Sequence, residues 1–202
     1  MNLADVAIAT ALAWGAGLRA YAVIFAVGLA GAMGWVELPG HLDVLQHPVV
    51  IAASGFMTLV EFGADKLPWL DSVWDAVHSF IRIPAGAALA AMAFGDSTGA
   101  VMVAAGILGG SLAAAMHTAK AGARAAINLS PEPFSNWGAS FTEDALVPLG
   151  LWLAVAHPIV FFLLVAACLV AAVFLVRLLW LGIRRLTKKG SEQFSGNNYA
   201  RQ

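Results

Sequence analysis

Charge is what this 202-residue chain has least of: Asp, Glu, Lys and Arg make up 11% of it against 60% hydrophobic residues, and the formal net charge is -1. Soluble domains carry about 25% charged residues. A water-soluble fold is therefore excluded, and a mean hydropathy of +0.80 points to an integral membrane protein. Without a basic excess, nucleic acid is excluded as a partner. Cysteine is nearly absent. Cys168 stands alone in LLVAACLVAAVF, which excludes an intramolecular disulfide and reads as a packing or lipid-facing thiol. Strict apolar-polar alternation is missing too, so a β-barrel gives way to helices, which also satisfy their own backbone inside a bilayer. No basic segment precedes the first apolar run, MNLADVAIAT, and the amino terminus is expected to be retained. No Ser, His, Asp triad, phosphate-binding glycine loop or paired Cys motif supports an enzyme, and no motif requires a cofactor.

What is present is a series of apolar runs, predicting an all-α polytopic membrane protein with about six segments, several interrupted by Pro or Gly. Residues 3 to 35 are too many for one straight crossing of a hydrocarbon core about 30 Å thick. Gly15 and Gly17 in WGAGLRAY mark the expected break, giving a short helix that lies in the interface or re-enters, then a crossing that ends near Trp35. The second segment runs from Pro48 to about Ala64, and the fourth from Thr98 to about Met116 with an amphipathic extension. The sixth, from about Ile159 to Ile183, ends in RRLTKKG. Residues 1–187 form one transmembrane domain, and the polar stretch 188–202 reads as a disordered cytoplasmic tail.

The third and fifth segments are short of apolar length. Ile83 to Phe94 and Ala145 to Ala156 cannot span alone when about 20 residues are needed, so their acidic starts are drawn into the membrane. The stretch EFGADKLPWLDSVWDAVHSFIRIPAG concentrates Glu61, Asp65, Asp71, Asp75, His78 and Arg82. On a helix, Asp71, Asp75, His78 and Arg82 fall within one narrow arc. Together with Glu143 and Asp144 they form a candidate substrate or ion site, since intramembrane ionisable groups cost about 2.5 to 3.5 kcal/mol each and face a partner or a watery cavity. A divalent metal has a possible ligand set in Asp71, Asp75 and His78, with Arg82 on the same face competing for the carboxylates. His117, Lys120, Arg124 and Asn128 cluster on a basic face placed at the inner membrane surface; with Arg19 and Asn136 they make a candidate site for an anion or lipid head group. Trp69, Trp74 and Trp137 read as interfacial anchors.

Arg177, Arg184, Arg185, Lys188 and Lys189 put the carboxyl terminus in the cytoplasm by the positive-inside rule, and six crossings traced backwards put the amino terminus there as well. IPAGAALA (Ile83 to Ala90) and VPLGLWLA (Val147 to Ala154) hint at an internal repeat of the kind that marks transporter binding sites. Small residues such as Gly106, Gly109 and Gly110 are the only legible trace of a homo-oligomer.

The phrases GLRAY (Gly17 to Tyr21), EFGADKLPWLDSVWDAVHSFIRIPAGA (Glu61 to Ala87) and HTAKAGARAAINLSPEPFSN (His117 to Asn136) resemble a family of small bacterial integral membrane proteins, domain of unknown function 4126. The resemblance covers most of the chain up to the last helix, implies a polytopic helical membrane protein and carries over no catalytic residues. The leading expectation is a small secondary transporter or channel-like protein of the bacterial inner membrane, moving a small ion or solute through the charged site. A membrane enzyme or binding protein acting on a phosphorylated lipid is the alternative, and a structural or assembly protein without a small ligand is the third.

Overall fold

The computed structural model describes residues 2–128 and 133–199; side chains at 68, 69, 71, 72, 133, 179, 182, 183 and 185–199 lie outside the description. Among the described residues six α-helices follow one another: α1 (Leu3–Ala32), α2 (Pro48–Ala64), α3 (Pro68–Met92), α4 (Gly99–Ile127), α5 (Pro133–Ala156) and α6 (Pro158–Tyr199), with a 3-10 turn at Leu42–Gln46 before α2. Among the described residues there is no strand, and the chain is an all-α polytopic membrane protein. Four helices, α1, α4, α5 and α6, are long and apolar enough to cross a bilayer, and α2 is a shorter apolar helix. The charges of α3 keep it out of that apolar class, as its short apolar half requires. Helical backbone in α6 continues through residues 188–199, the stretch read from sequence as a tail.

Local chemistry sets the helix starts. A capping box opens α1, with Asn2 Oδ1 accepting from the Asp5 amide at 2.8 Å and Asp5 Oδ2 accepting from the Asn2 amide at 3.0 Å. That gives Asp5 a structural task. Pro48 and Pro158 stand at the first positions of α2 and α6, where a missing amide hydrogen does no harm.

Helix α1 is not straight, and its break is displaced from the expected glycines. Arg19 has φ -148 and ψ 81, extended backbone inside a 30-residue helix. Gly15 packs on Val23, each four residues from Arg19, and one cavity is lined by Ile8, Ala11 and Leu12 together with Ala26, Val27 and Ala30. Positions at equal distance on either side of Arg19 are thus neighbours, and the helix folds back on itself. The expected crossing that ends near Trp35 is replaced by the second arm of a hairpin: its 13 residues (Ala20–Ala32) reach only about 20 Å.

The first arm is the centre of the molecule. Ala7, Ala9, Ala11, Leu12, Ala13, Trp14 and Ala16 are all buried. Small residues let neighbouring backbones approach: Gly17 rests on Ala113 and Met116 of α4, and Gly86 of α3 and Gly109 of α4 meet around Ala13. Trp14 fills the space over Gly150 of α5 and meets Phe161 of α6 edge-on at 6.1 Å. The two glycines of the repeated Pro-x-Gly phrase, Gly86 and Gly150, therefore receive successive residues of one arm. Gly106, Gly109 and Gly110 serve the packing of α4 on α3, against Ala91, Ala90 and Ala87.

The start of α1 shares one end of the bundle with the connections after α1, α3 and α5. Ile8 lines the cavity with Trp35, Leu38 and Val155, and the His41 amide donates to the Met92 carbonyl. Residues 65–67, the end of α4 and the start of α5 make up the other end, where Trp137 Nε1 donates to the Lys66 carbonyl at 3.3 Å.

Candidate functional site

The turn of α1 drops Arg19 into a cluster of charges supplied by four other elements. Helix α2 ends with Glu61 and Asp65 one turn apart, α3 carries Asp75 and Arg82 two turns apart, and α4 presents His117, Lys120 and Arg124 at spacings of three and four. Helix α5 adds Glu143 and Asp144. Arg19, Arg82, Lys120 and Arg124 are 1 to 3% exposed, and Glu61 and Asp65 are wholly buried.

Asp65 is the hub. Its Oδ2 lies 2.7 Å from Arg19 Nη2, 3.4 Å from Lys120 Nζ and 3.9 Å from Arg124 Nη2. Glu143 Oε2 is shared by Lys120 at 3.1 Å and Arg124 at 3.3 Å, while Arg19 reaches Asp144 Oδ1 at 3.1 Å. Lys120 also approaches Asp75 Oδ1 at 3.6 Å and donates to the Leu18 carbonyl at 3.3 Å. That carbonyl is released from helical bonding by the break at Arg19, so the ammonium satisfies a backbone group that the bilayer would leave bare. A deeper branch of the network centres on Arg82, whose two terminal nitrogens each hold one carboxylate, Glu61 and Asp75, at 2.5 Å.

Hydrogen-bond roles fix the state of His117. Ser79 Oγ donates to the Asp75 carbonyl, so the 2.6 Å contact between Ser79 and His117 has Nε2-H of the ring as donor. Arg82 Nη1 then donates to Nδ1 at 3.3 Å. His117 is a neutral ring positioning Arg82. His78 faces elsewhere: its Nδ1-H donates to the Trp74 carbonyl at 2.8 Å, Trp74 stacks on it at 4.0 Å and Tyr21 meets it edge-on.

Two groups that sequence separates are one in space. Of the carboxylates expected to bind a cation, Asp65, Asp75, Glu143 and Asp144 are partners of the bases expected to bind an anion, Arg19, Lys120 and Arg124, while Glu61 is held by Arg82 of its own group. The basic face of α4 points inward rather than lying on a membrane surface. Asn136 accepts from Arg124 Nη1 at 2.5 Å and donates to the Asp65 carbonyl at 3.4 Å, while Asn128 closes α4 through its amide on the Arg124 carbonyl. Among the described residues no three His, Cys, Asp or Glu side chains gather to hold a metal ion. Asp75 is engaged by Arg82 and His78 by Trp74, and the side chain of Asp71 lies outside the description, as does that of Trp69. Trp74 is half-buried against His78.

Sequence reasoning misses Ser79, Ser140 and the Leu18 carbonyl. Ser140 accepts from Arg19 Nη2 at 3.2 Å. Ser79 and Ser140 lie one turn from Asp75 and from Glu143 and Asp144, a helical spacing that could have flagged them. Nothing marks Leu18 except its place beside the break. At the rim, Lys66 Nζ donates to the Phe62 carbonyl at 3.0 Å and sits over the Phe62 ring.

A family described as Domain of unknown function (DUF4126) matches residues 6–178. The chain belongs to that family. The matched span takes in every member of the network and ends within α6, as the three phrases GLRAY, EFGADK and HTAKAG led one to expect. No curated protein and no solved structure matches the chain. Membership in DUF4126 brings no activity with it, so function rests on the site.

Proposed function

We propose that this is a small secondary transporter or channel-like protein that moves a small ion or solute across the membrane through the charged network. The observation that carries the reading is the break at Arg19. Interrupted helices whose ends meet a polar centre are how transporters build sites at membrane depth. Here the interruption brings a guanidinium to Asp65, Glu143 and Asp144 and the Leu18 carbonyl to Lys120. The lipid head-group reading has less support, because Arg19, Lys120 and Arg124 are buried and already neutralised by carboxylates.

In this reading the network end faces the cytoplasm of a bacterial inner membrane, since Lys66 lies there and α6 runs toward it with most of its basic residues in its second half. The amino terminus then faces outside, because α1 returns to the end at which it begins. The expectation of two cytoplasmic termini counts α1 as a crossing. Proteoliposomes carrying the wild type and the Asp65→Asn and Lys120→Met variants test the transport reading. Flux of protons, monovalent ions or small solutes present in the wild type and cut at least tenfold in both variants supports it; wild-type vesicles no leakier than empty ones rule it out.

A further inference from the structure

Resting on that transport reading, we propose that Asp65 and Asp144, which share Arg19, form a proton-binding site loaded from the network end, and that its occupancy sets the position of the α1 hairpin. Arg19 Nη2 is divided among three carboxylates, at 2.7 Å from Asp65, 3.1 Å from Asp144 and 3.8 Å from Glu143. Asp65 and Glu143 each have Lys120 and Arg124 as well. Among the described residues, Arg19 is the single cation within 4 Å of Asp144.

Asp144 is also the most open carboxylate of the network, with 25% of its side chain exposed against 12% for Glu143 and 0% for Asp65. Asp144 Oδ2 and the fully buried Asp65 Oδ1 have no hydrogen-bond partner, so each has a lone pair free for a proton. The charges that face Asp144 are Arg19 from α1, Asp65 and Lys66 from the α2–α3 connection, and Glu143 from α5; Lys120 and Arg124 of α4 stand behind, on Asp65 and Glu143. A proton from the water at that end adds to one carboxylate oxygen, no other bond changes, and the titration belongs to the pair rather than to one member.

Neutralising Asp144 leaves Arg19 to Asp65, Glu143 and Ser140, and Arg19 is the residue at which α1 bends. On the far side of the bend lies an apolar cavity of about 520 Å³, walled by both arms together with Trp35 and Leu38 and with Leu151 and Val155 of α5. The cavity leaves room beside the second arm, while the first arm stays held by its close packing on α4 and α5. Proton occupancy is thereby linked to the barrier between the network and the opposite end.

The full chain in lipid nanodiscs, on a Cys168→Ala background, provides the test. Infrared difference spectra between about pH 5 and about pH 8 should show a protonated-carboxyl C=O band that is lost in Asp144→Asn, altered in Asp65→Asn and kept in Asp144→Glu. Spin labels on Ala22→Cys and Thr118→Cys should change their separation over the same interval, and Asp144→Asn should hold the low-pH separation throughout. A wild-type spectrum without the band, a band indifferent to both substitutions, or a separation constant with pH overturns the proposal. Flux that is independent of pH and unchanged by Asp144→Asn overturns it while leaving the transport reading intact; band and motion without any flux sink the transport reading and leave the proton site standing.

Discussion

Arg82 holds Glu61 and Asp75 on two separate nitrogens in a region where all three side chains are 5% exposed or less. Removing one partner of a buried pair strands the other, at about 3–5 kcal/mol. Arg82→Met is therefore expected to destabilise the protein by roughly that amount in a reversible unfolding assay in lipid or mild detergent. Adding Glu61→Gln and Asp75→Asn to Arg82→Met should recover most of the loss, because the charges left unpaired are then gone. No recovery in the triple variant would mean that the ion pairs do more than neutralise one another. The sequence already carried the Asp75 and Arg82 spacing and the demand for compensation inside a bilayer. It could not carry the pairing of Asp65 with Arg19 and Lys120, because those contacts join residues 46 and 55 positions apart on helices whose relative rotation depends on packing.

Helix α1 shows why the rest was harder to read. Its length demanded a break, and two glycines near Arg19 announced one, yet hydropathy cannot distinguish an interface helix followed by a crossing from two arms folded side by side. The difference lies in contacts between small residues, whose low information in sequence hides their role. A Cβ on Gly17 would come within 2.5 Å of the Ala113 carbonyl oxygen of α4, whereas one on Gly63 of α2 meets nothing within 4 Å. Gly17→Ala should consequently cost about 1–3 kcal/mol through overpacking. Gly63→Ala should be neutral or stabilise by up to about 1 kcal/mol through helix propensity. Equal effects in an unfolding assay would contradict the close approach of α1 to α4. The paired Pro-x-Gly phrases of α3 and α5 were legible as a repeat, and their purpose became clear only when Ala13 and Trp14 were seen to lie against them.

For the whole molecule, the bundle is built around an arm that enters from one end and stops at a charged centre. Apolar volume lies on one side of that stop and ionisable groups on the other. This polarity is the basis of the transport proposal for a chain with so few charges, nine of which meet in one place. All of it depends on α1 turning back at Arg19. Thiol labelling of intact cells, with single cysteines at Leu3, Glu37 and Gly138 on the Cys168→Ala background, tests that claim most directly, because all three positions are exposed. The hairpin predicts that a membrane-impermeant reagent labels positions 3 and 37 from the same side and position 138 from the other. Labelling of position 3 together with 138, and of 37 alone from the opposite side, would show α1 crossing the membrane once and would contradict the account.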